Sequence, residues 1–319
     1  MNLLQTQTAI KYLKDKFESL LSKKLSLTRV SAPLFVDKET GLNDDLSGKE
    51  KSVSFVINNK TIEIVHSLAK WKRYALKEYN FPIYQGLYTD MNAIRKDEVM
   101  DELHSIYVDQ WDWEKIISNN DRNLDYLFKT VSDIYSVVRK VASLSEKKWG
   151  FKYNLPKKIK FISSEELESL YKDKTPKERE YIIAKNFRAV FIYHIGWPLT
   201  NGLPHDSRAA DYDDWLLNGD IILFDEAINN AIEISSMGIR VNKESLLKQL
   251  EYKNELDKKS NPYCDAIIND ALPLTIGGGI GQSRLCMYYL QKRHIGEVQS
   301  SYWPQEMKDK LLKEGIEIL

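Results

Sequence analysis

The chain has 319 residues, 43% of them hydrophobic, and its 46 Lys and Arg balance its 46 Asp and Glu, so it has neither a basic field for nucleic acid nor an acidic tail. This length can bury the core of one large domain or two small ones. Cys264 and Cys286 form no CxxC pair, so we expect no disulfide framework. The N-terminus mixes charges into apolar positions and no apolar run reaches about 18 residues, so we expect neither a signal peptide nor a membrane span. The expected location is the cytoplasm.

The first predicted element is an amphipathic helix over residues 3–24, because apolar side chains recur there at helical spacing, at Ile10, Leu13, Phe17, Leu20 and Leu21. The short apolar run VSAPLF, residues 30–35, contains a proline and suits an edge strand or an interface. After a polar loop, the runs SVSFVI and TIEIVHSL flank Asn58-Asn59-Lys60, which predicts a β-hairpin.

Two further strands are predicted at residues 83–95 and 104–114, joined by a charged loop. Successive side chains of a strand point to opposite faces. The second strand therefore divides into two sets, one of Tyr107, Asp109, Trp111 and Trp113 and the other of Val108, Gln110 and Asp112. The face that carries Gln110 and Asp112 does not build an apolar core, and it offers polar groups to water or to a ligand.

The second half of the chain also has clear local signals. An apolar period of 3.6 predicts a long helix over residues 124–144, and the capping box Thr175-Pro176-Lys177-Glu178 opens a helix that extends to about residue 187. The runs AVFIYHI, DIILF and AIEISSMGIRV are predicted strands, and KESLLKQLEY is a predicted helix. Strands joined by hairpins, with helices grouped between them, favour an α+β fold in which residues 1–319 form a single domain on a mostly antiparallel sheet flanked by helices.

Four glycines near the C-terminus interrupt an apolar strand and precede a helix: Gly277, Gly278, Gly279 and Gly281. They match neither GxGxxG nor the P-loop pattern. Glycine in a strand allows a ligand or another backbone to approach closely, and the alternative is a bulge with a tight strand-to-helix turn. Arg284 lies in the first helical turn, where the helix dipole disfavours a cation, which indicates that it has another task.

Other charged clusters have both a functional and a structural interpretation. The segment 65–76 carries Ser67, Lys70, Lys72 and Arg73, which is typical of a solvated basic face; the segment 205–215 carries Arg208, Asp211, Asp213 and Asp214. Asp220 and Glu233 lie on neighbouring predicted strands, and such paired carboxylates suit Mg²⁺ together with phosphate and water. Taken together, these groups could bind a nucleoside triphosphate without a P-loop.

The strings VHSLAKWKR, GLYTDMNAIR, LHSIYVDQWDWE, DYDDW, EISSMGIRV and TIGGGIGQSRL resemble the ammonia-dependent asparagine synthetases, the aspartate–ammonia ligase family, over essentially the whole chain. The resemblance implies the catalytic-domain fold of class II aminoacyl-tRNA synthetases and a homodimer. It also implies that L-asparagine is made from L-aspartate, ATP and ammonia through a β-aspartyl-adenylate, with release of AMP and pyrophosphate.

The resemblance also assigns nucleotide-binding roles. VSAPLF matches the first class II motif, whose proline lies at the dimer interface. Arg95 matches the arginine that contacts the α-phosphate, and Arg284 matches the one that packs against the adenine or the triphosphate. The glycine strand then forms the floor under the nucleotide. Further implied positions are Arg208, Asp213, Gly278 and Gly279 for the nucleotide, Asp220 and Glu233 for Mg²⁺, and Ser236 beside these acids.

Around aspartate and the reacting centre the resemblance places Asp44, Ser67, Lys72, Gln110, Asp112 and Arg240. Ammonium must lose a proton before it attacks, so a carboxylate is required. Asp44 is the first candidate for this base, with Asp112 or Asp109 as the second. The α-carboxylate of aspartate needs a cation such as Arg240 or Lys72, and its α-ammonium needs an acid or an amide such as Gln110.

Three alternatives are weighed against this assignment. A tRNA synthetase for aspartate or asparagine would carry an anticodon-binding barrel before the first motif, which begins here at about residue 29. A glutamine-dependent synthetase would need an N-terminal cysteine. A non-catalytic class II synthetase paralogue that binds nucleotide or a protein partner would be expected to lack Arg95, Arg284 or the acids.

One departure from the family is that only Leu216 and Leu217 separate DYDDW from NGD, where a longer loop is expected.

Overall fold

The computed structural model describes residues 1–44, 46 and 50–319. The α-helices are α1 (Leu3–Leu25), α2 (Ala69–Glu78), α3 (Leu124–Trp149), α4 (Ser164–Leu170), α5 (Pro176–Phe187), α6 (Lys243–Lys253), α7 (Pro262–Ile268), α8 (Gln282–Tyr289) and α9 (Gln305–Lys313). The strands are β1 (Leu27–Arg29), β2 (Phe35–Asp37), β3 (Ser54–Ile57), β4 (Lys60–Ile64), β5 (Gly86–Ile94), β6 (Tyr107–Ile116), β7 (Lys160–Ser163), β8 (Ala189–Tyr193), β9 (Asp213–Asp225), β10 (Asn230–Arg240) and β11 (Thr275–Gly281).

Within the described residues, the strands form one eight-stranded sheet in the order β1-β5-β6-β11-β10-β9-β8-β7 and a small sheet in the order β2-β4-β3. The outer pairs β1–β5 and β7–β8 are parallel, and the pairs between them are antiparallel. The prediction of an α+β fold on a mostly antiparallel sheet is confirmed.

Helices α1, α3 and α8 cover one face of the large sheet and form the main core with it. The apolar stripe predicted for α1 is buried, and Phe17 stacks on Trp111 of β6 with ring centroids 4.7 Å apart. The opposite face of β6 and β11 packs against α2. No described helix combines the length and apolar character needed to cross a membrane.

Several local predictions are confirmed in detail. Asn58 and Asn59 adopt φ of 50° and 62°, the left-handed conformation that a tight hairpin turn between β3 and β4 requires. Thr175 and Glu178 form the predicted capping box, with Pro176 as the first residue of α5. Helix α3 continues beyond the predicted end to Trp149, and Gly150 ends it with φ of 80°.

Of the two interpretations of residues 30–35, an edge strand or an interface, the strand is found only at the last residue. Strand β1 ends at Arg29, β2 begins at Phe35, and the residues between them are irregular, although Val30 N still donates to Tyr88 O at 2.9 Å. Pro33 has no N–H to continue a ladder, which explains the interruption. The predicted strand TIEIVHSL also extends too far, because β4 ends at Ile64.

Helix α2 was not predicted, and its sequence explains why. Its buried positions include Lys70, Lys72 and Arg73, so the inward face lacks the apolar period that identifies a helix. Helices α4 and α7 and strand β7 were also missed, and each has seven residues or fewer. Short elements leave little periodicity to detect.

The predicted loop between Trp215 and Asn218 is a bulge within β9. Asn218 pairs with Gly238 and Asp213 pairs with Arg240, so four residues of β9 lie opposite one residue of β10. Leu216 at this bulge is exposed, while Trp215 is buried. A bulge of this kind re-aims side chains without opening the sheet, and it keeps Asp213 in the ladder beside Arg240.

Candidate active site

A cleft of about 340 Å³ opens over the face of β6, β11 and β10 that packs against α2. It is lined by every predicted site residue except Asp220, which is buried behind Arg208. The lining set is Asp44, Ser67, Lys72, Arg95, Asp109, Gln110, Asp112, Arg208, Asp213, Glu233, Ser236, Arg240, Gly278, Gly279 and Arg284. Residues far apart in sequence are therefore brought to one place.

The predicted division of β6 into two faces is confirmed. Asp112 lies on the cleft side, where its Oδ2 is 3.2 Å from Lys72 Nζ. Trp111 and Trp113 point away into the core. Alternation along β6 also places Glu114 on the cleft side, and sequence reasoning missed it although its spacing from Asp112 was the available signal.

The strand glycines accommodate side chains from the neighbouring strands. A Cβ at Gly277 would overlap Glu114 Oε2, and a Cβ at Gly279 would overlap Gln110 Oε1 and lie 2.8 Å from Asp112 Oδ1. On the other face, a Cβ at Gly278 would lie 2.5 Å from Met237 Cβ. Polar side chains of β6 thus cross β11 at positions where any residue larger than glycine would block them.

A buried charge network lies beneath these glycines. Arg240 Nη2 donates to Glu114 Oε2 at 2.7 Å, and Arg240 Nη1 donates to Asp213. Burial alone would raise the pKa of Glu114, but the charge and hydrogen bonds of Arg240 hold it below its ordinary value. The pKa of Asp213 is raised, because burial outweighs the attraction of Arg240.

Lys72 connects α2 to this network. Its Nζ donates to Gly278 O at 3.1 Å and lies 4.0 Å from Glu114 Oε2, in addition to its contact with Asp112. Burial lowers the pKa of Lys72, and Asp112 opposes that effect only in part. The ammonium group is thus a buried cation between two carboxylates, close to the glycine strand.

Asp44 also lines the cleft, beside Ser67. Ser67 Oγ donates to Asp44 Oδ2 at 2.8 Å, and His66 Nδ1 lies 3.0 Å from Asp44 O. Tyr212, which sequence reasoning missed, lies nearby, and burial together with the Asp44 charge raises the pKa of its phenol well above the ordinary value. Leu46 N donates to Asp44 Oδ1 at 2.9 Å, so both carboxylate oxygens of Asp44 accept hydrogen bonds while the residue lines the cleft.

The two predicted nucleotide-binding arginines, Arg95 and Arg284, both line the cleft. Arg95 Nη2 donates to His66 O at 3.3 Å, and its Nε is buried without a hydrogen-bond partner in the described part of the chain. Arg284 Nη1 donates to Glu233 O at 3.0 Å and lies 3.9 Å from Glu233 Oε1. Each guanidinium has donors left over for an anion, since one guanidinium carries five N–H groups.

Asp220 and Glu233 form the candidate metal position. Asp220 Oδ2 accepts from Arg208 Nη2, and Asp220 Oδ1 is buried without a hydrogen-bond partner among the described residues. Burial raises the pKa of Asp220 to about 7, with Glu233 adding to the effect and Arg208 opposing it. A carboxylate oxygen with no partner and a neighbouring acid suit a hard cation. The described residues hold no group of three or more His, Cys, Asp or Glu side chains that could bind a metal alone, so other ligands would have to come from phosphate and water.

Asp109 differs from the other predicted residues in its surroundings. It lies on the β6 face opposite Gln110 and Asp112, where Lys14 Nζ is 3.0 Å from its Oδ2. Ser283 Oγ donates to the same oxygen at 2.8 Å. The structure therefore does not bring Asp109 to the Lys72 side of the cleft, and its predicted contact with aspartate stays a prediction.

Comparisons with known proteins identify relatives over nearly the whole chain. A protein family described as aspartate-ammonia ligase matches residues 4–315. An aspartate–ammonia ligase of Ureaplasma urealyticum is 54% identical over 319 residues, covering 99% of this chain and 97% of the relative. One of Bacillus cytotoxicus is 53% identical over 322 residues, covering 100% and 98%.

Solved structures with the same fold have little sequence identity to this chain. An asparaginyl-tRNA synthetase of Entamoeba histolytica in complex with asparaginyl-adenylate aligns with a TM-score of 0.68 at 12% identity, over 94% of this chain and 68% of the other. The enzyme of Pyrococcus horikoshii, also complexed with asparaginyl-adenylate, aligns with a TM-score of 0.68 at 16% identity, over 94% and 70%. These likenesses confirm the class II synthetase fold.

Proposed function

Because the chain belongs to the aspartate–ammonia ligase family, we propose that it makes L-asparagine from L-aspartate, ATP and ammonia through a β-aspartyl-adenylate, releasing AMP and pyrophosphate. One structural observation carries the proposal: a single cleft in a class II synthetase fold contains two arginines with spare donors, a buried Lys72 and the carboxylate of Asp44. These groups are suited to activating a carboxylate and aminating it.

The first step is transfer of AMP to the β-carboxylate of aspartate, which otherwise is a poor electrophile. Such a transfer depends mainly on positioning and on neutralising charge. We assign this role to Arg95 and Arg284, whose guanidinium groups can hold phosphate oxygens in a bidentate manner or stack on a base. Arg208, Asp213, Gly278 and Gly279 are proposed to complete the nucleotide site.

Mg²⁺ is proposed to bind between Asp220 and Glu233 together with phosphate oxygens. The unpartnered Oδ1 of Asp220 supports this assignment, because a buried polar atom without a partner is costly and a metal ion would supply one. When bound, the ion would neutralise charge on the triphosphate. Ser236, the β10 partner of Asp220 in the sheet, adds a hydroxyl next to this position.

Aspartate is proposed to lie over the glycine strand. Lys72 and Arg240 supply positive charge for its carboxylate, and Gln110 and Asp112 face the same space. Glu114 and Asp213 already engage Arg240, so Lys72 is the better candidate for direct contact. Ser67 borders the same cleft beside Asp44.

In the second step ammonia attacks the β-carbonyl and AMP leaves. We propose that Asp44 holds ammonium and accepts its proton, because it lines the cleft and its two contacts, Ser67 Oγ at Oδ2 and Leu46 N at Oδ1, are with neutral donors. Asp112 is the second candidate, but its Oδ2 is close to Lys72 and accepts from Leu68 N at 3.2 Å. A carboxylate next to a cation is less suited to accept a proton, because the cation favours its ionised form.

We further propose that residues 1–319 act as one catalytic domain in a cytoplasmic homodimer. The exposed apolar side chains Leu34, Phe35, Phe55, Val56 and Ile57 lie on or beside the small sheet, next to the VSAPLF segment. Phe35 and Phe55 are in edge-to-face contact at 5.5 Å, so they form one patch. Apolar patches of this kind mark association surfaces.

Pyrophosphate release from purified protein tests the reaction. The assay contains ATP, Mg²⁺ and L-aspartate with or without ammonium chloride, and amino-acid analysis follows. Asparagine formed only with ammonium supports the proposal. Pyrophosphate without asparagine would support the adenylation step and refute the amination step. No pyrophosphate under any condition would refute the ligase and favour a non-catalytic paralogue.

A further inference from the structure

A buried hydrogen-bond chain lies outside the reacting face of the cleft. It consists of Asp109 on β6, Ser283 on α8, Gln299 and Ser105, all of them buried. Ser283 directly precedes Arg284, and Ser105 precedes Ile106, the backbone partner of Arg95. The proposed reaction assigns no role to these four residues.

Asp109 caps helix α8 from another strand. Helix α8 begins after Gly281 and has no side-chain cap of its own. Asp109 Oδ1 instead accepts from Ser283 N at 3.1 Å, in the first turn and directly before Arg284. A carboxylate at a helix N-terminus satisfies a free N–H and interacts favourably with the dipole. The negative charge of Asp109 also compensates for the unfavourable interaction of the Arg284 cation with the helix dipole.

Gln299 connects this cap to the second arginine. Its Nε2 donates to Asp109 Oδ1 at 3.1 Å, and its Oε1 accepts from Ser105 Oγ at 2.6 Å. Ser105 precedes Ile106, whose carbonyl accepts from Arg95 N at 2.8 Å. Hydrogen bonds, together with the peptide links Ser105–Ile106 and Ser283–Arg284, thus connect the backbone at Arg95 to the backbone at Arg284.

Lys14 of α1 balances the negative charge of Asp109 in this hydrogen-bond network. Its Nζ lies 3.0 Å from Asp109 Oδ2, so the carboxylate is held on one side by a cation and on the other by the helix terminus. A carboxylate held by four donors is poorly placed to bind a substrate ammonium or to accept a proton. Its position instead determines where α8 begins.

We propose that Asp109 is a positioning residue for nucleotide binding, which fixes Arg284 through Ser283 and Arg95 through Gln299 and Ser105. The inference rests on the proposed function for the roles of the two arginines. It assigns Asp109 to ATP affinity and not to aspartate or ammonium.

Direct binding measurements test the proposal independently of turnover. We expect Asp109→Asn to weaken binding of a non-hydrolysable ATP analogue with Mg²⁺ about tenfold by calorimetry, since a buried hydrogen-bond network is disrupted. The dissociation constant of aspartate should change less than about twofold. Asp90→Asn is the matched control, because Asp90 Oδ1 also accepts from α8, but from the side chain of Gln282 at 3.0 Å.

Each other outcome contradicts the proposal. Weaker aspartate binding would make Asp109 a substrate ligand, and unchanged ATP-analogue binding with lower thermal stability would make it merely structural. An equal effect of Asp90→Asn would mean that any charge removed near α8 weakens the site. If Asp109→Asn does not fold, Gln299→Met, which keeps the volume and removes the hydrogen bonds to Asp109, Ser283 and Ser105, must reproduce the selective loss of ATP-analogue affinity.

The same measurements separate this proposal from the reaction itself. Wild-type protein that binds the ATP analogue but makes no asparagine would refute the ligase. The affinities of the variants for the ATP analogue would still decide the positioning role. Wild-type protein that binds no ATP analogue would refute both. A selective loss in Asp109→Asn, together with asparagine synthesis by the wild type, supports both.

Discussion

Glu114 holds Arg240 at two points: Arg240 Nε lies 3.0 Å from Glu114 Oε1, and Arg240 Nη2 lies 2.7 Å from Glu114 Oε2. Both side chains are buried, and Thr275 Oγ1 donates to Glu114 Oε1 at 2.7 Å. The pair joins β6 to β10 across the glycine strand, so it fixes the base of the cleft and the spacing of the sheet together.

Glu114→Gln should therefore lower the free energy of unfolding substantially. It leaves the charge of Arg240 with Asp213 as its nearest carboxylate, and breaking a buried ion pair by removing one partner typically costs about 3–5 kcal/mol. Urea unfolding should show a loss of that order. Glu226→Gln is the control, because Glu226 pairs with Arg188 at 3.2 Å on the surface and is 62% exposed, and its loss should be far smaller. Equal losses would contradict a special role for the buried pair.

Gly279→Ala should impair activity by displacing side chains of β6. The new methyl group would overlap Gln110 Oε1 and approach Asp112 Oδ1. Overpacking of this kind costs about 1–3 kcal/mol in stability. We expect the KM for aspartate to rise at least about tenfold, since the displaced groups face the substrate position. In Gly281→Ala the methyl group would lie 3.3 Å from Arg284 Cβ, so the change in KM for aspartate should be smaller; the reverse order would refute this explanation.

Local signals in the sequence explain which elements could be predicted. The 3.6 period of α3, the capping box at Thr175 and the Asn58-Asn59 turn each depend on residues close in the chain. The face division of β6 follows from alternation alone. Helix α2 could not be predicted because its buried face carries cations whose partners come from distant segments, as when Lys72 Nζ donates to Gly278 O.

The site could be predicted only in part for the same reason. The resemblance named residues that line one cleft, but no local pattern pairs Glu114 with Arg240, which are 126 positions apart. Asp109 and Gln110 are adjacent in sequence, and only the fold shows that one lies against α1 and α8 while the other faces the glycine strand. The glycines were expected to make room for a ligand or a backbone, and the groups that cross them are side chains.

The two arginines proposed to bind the nucleotide, Arg95 and Arg284, should not tolerate lysine. Arg284→Lys and Arg95→Lys keep one positive charge but lose the planar set of donors. We expect each to raise the KM for ATP about tenfold or more in the pyrophosphate assay, since charge-assisted bidentate contacts are the strong ones. Arg139→Lys, on the exposed surface of α3, should leave the KM unchanged. An unchanged KM for ATP in both cleft variants would remove these arginines from the nucleotide site.

The apolar patch on the small sheet predicts the effect of a surface charge. Phe55 is 38% exposed and contacts Phe35 within this patch, and Phe55→Asp should convert a dimer to a monomer, because a carboxylate would have to be buried in an apolar contact. Sedimentation velocity measures the change. Leu312→Asp on α9, at a residue that is 70% exposed, should leave the assembly unchanged. A wild-type monomer, or a dimer that survives Phe55→Asp, would contradict the proposed interface.

Asp225 at the end of β9 gives a prediction for pH. Burial raises the pKa of its carboxyl to about 6, against an ordinary value of 3.8, and its Oδ2 has no partner among the described residues. Because the folded state holds this proton more tightly than the unfolded state, Asp225 contributes stability below pH 4 that is lost as the pH rises through 6.

Asp225→Asn should abolish that loss. The asparagine amide does not titrate, and its oxygen can still accept from Ala227 N as Asp225 Oδ1 does at 2.9 Å. The unfolding free energy of the variant minus that of the wild type should therefore increase by about 1 kcal/mol between pH 5 and pH 7.5. Comparing a difference at two pH values cancels both the fixed cost of burying the amide and the titration of all other groups. A difference that stays constant, or falls, over this range would show that Asp225 is already ionised at pH 5 in the folded protein.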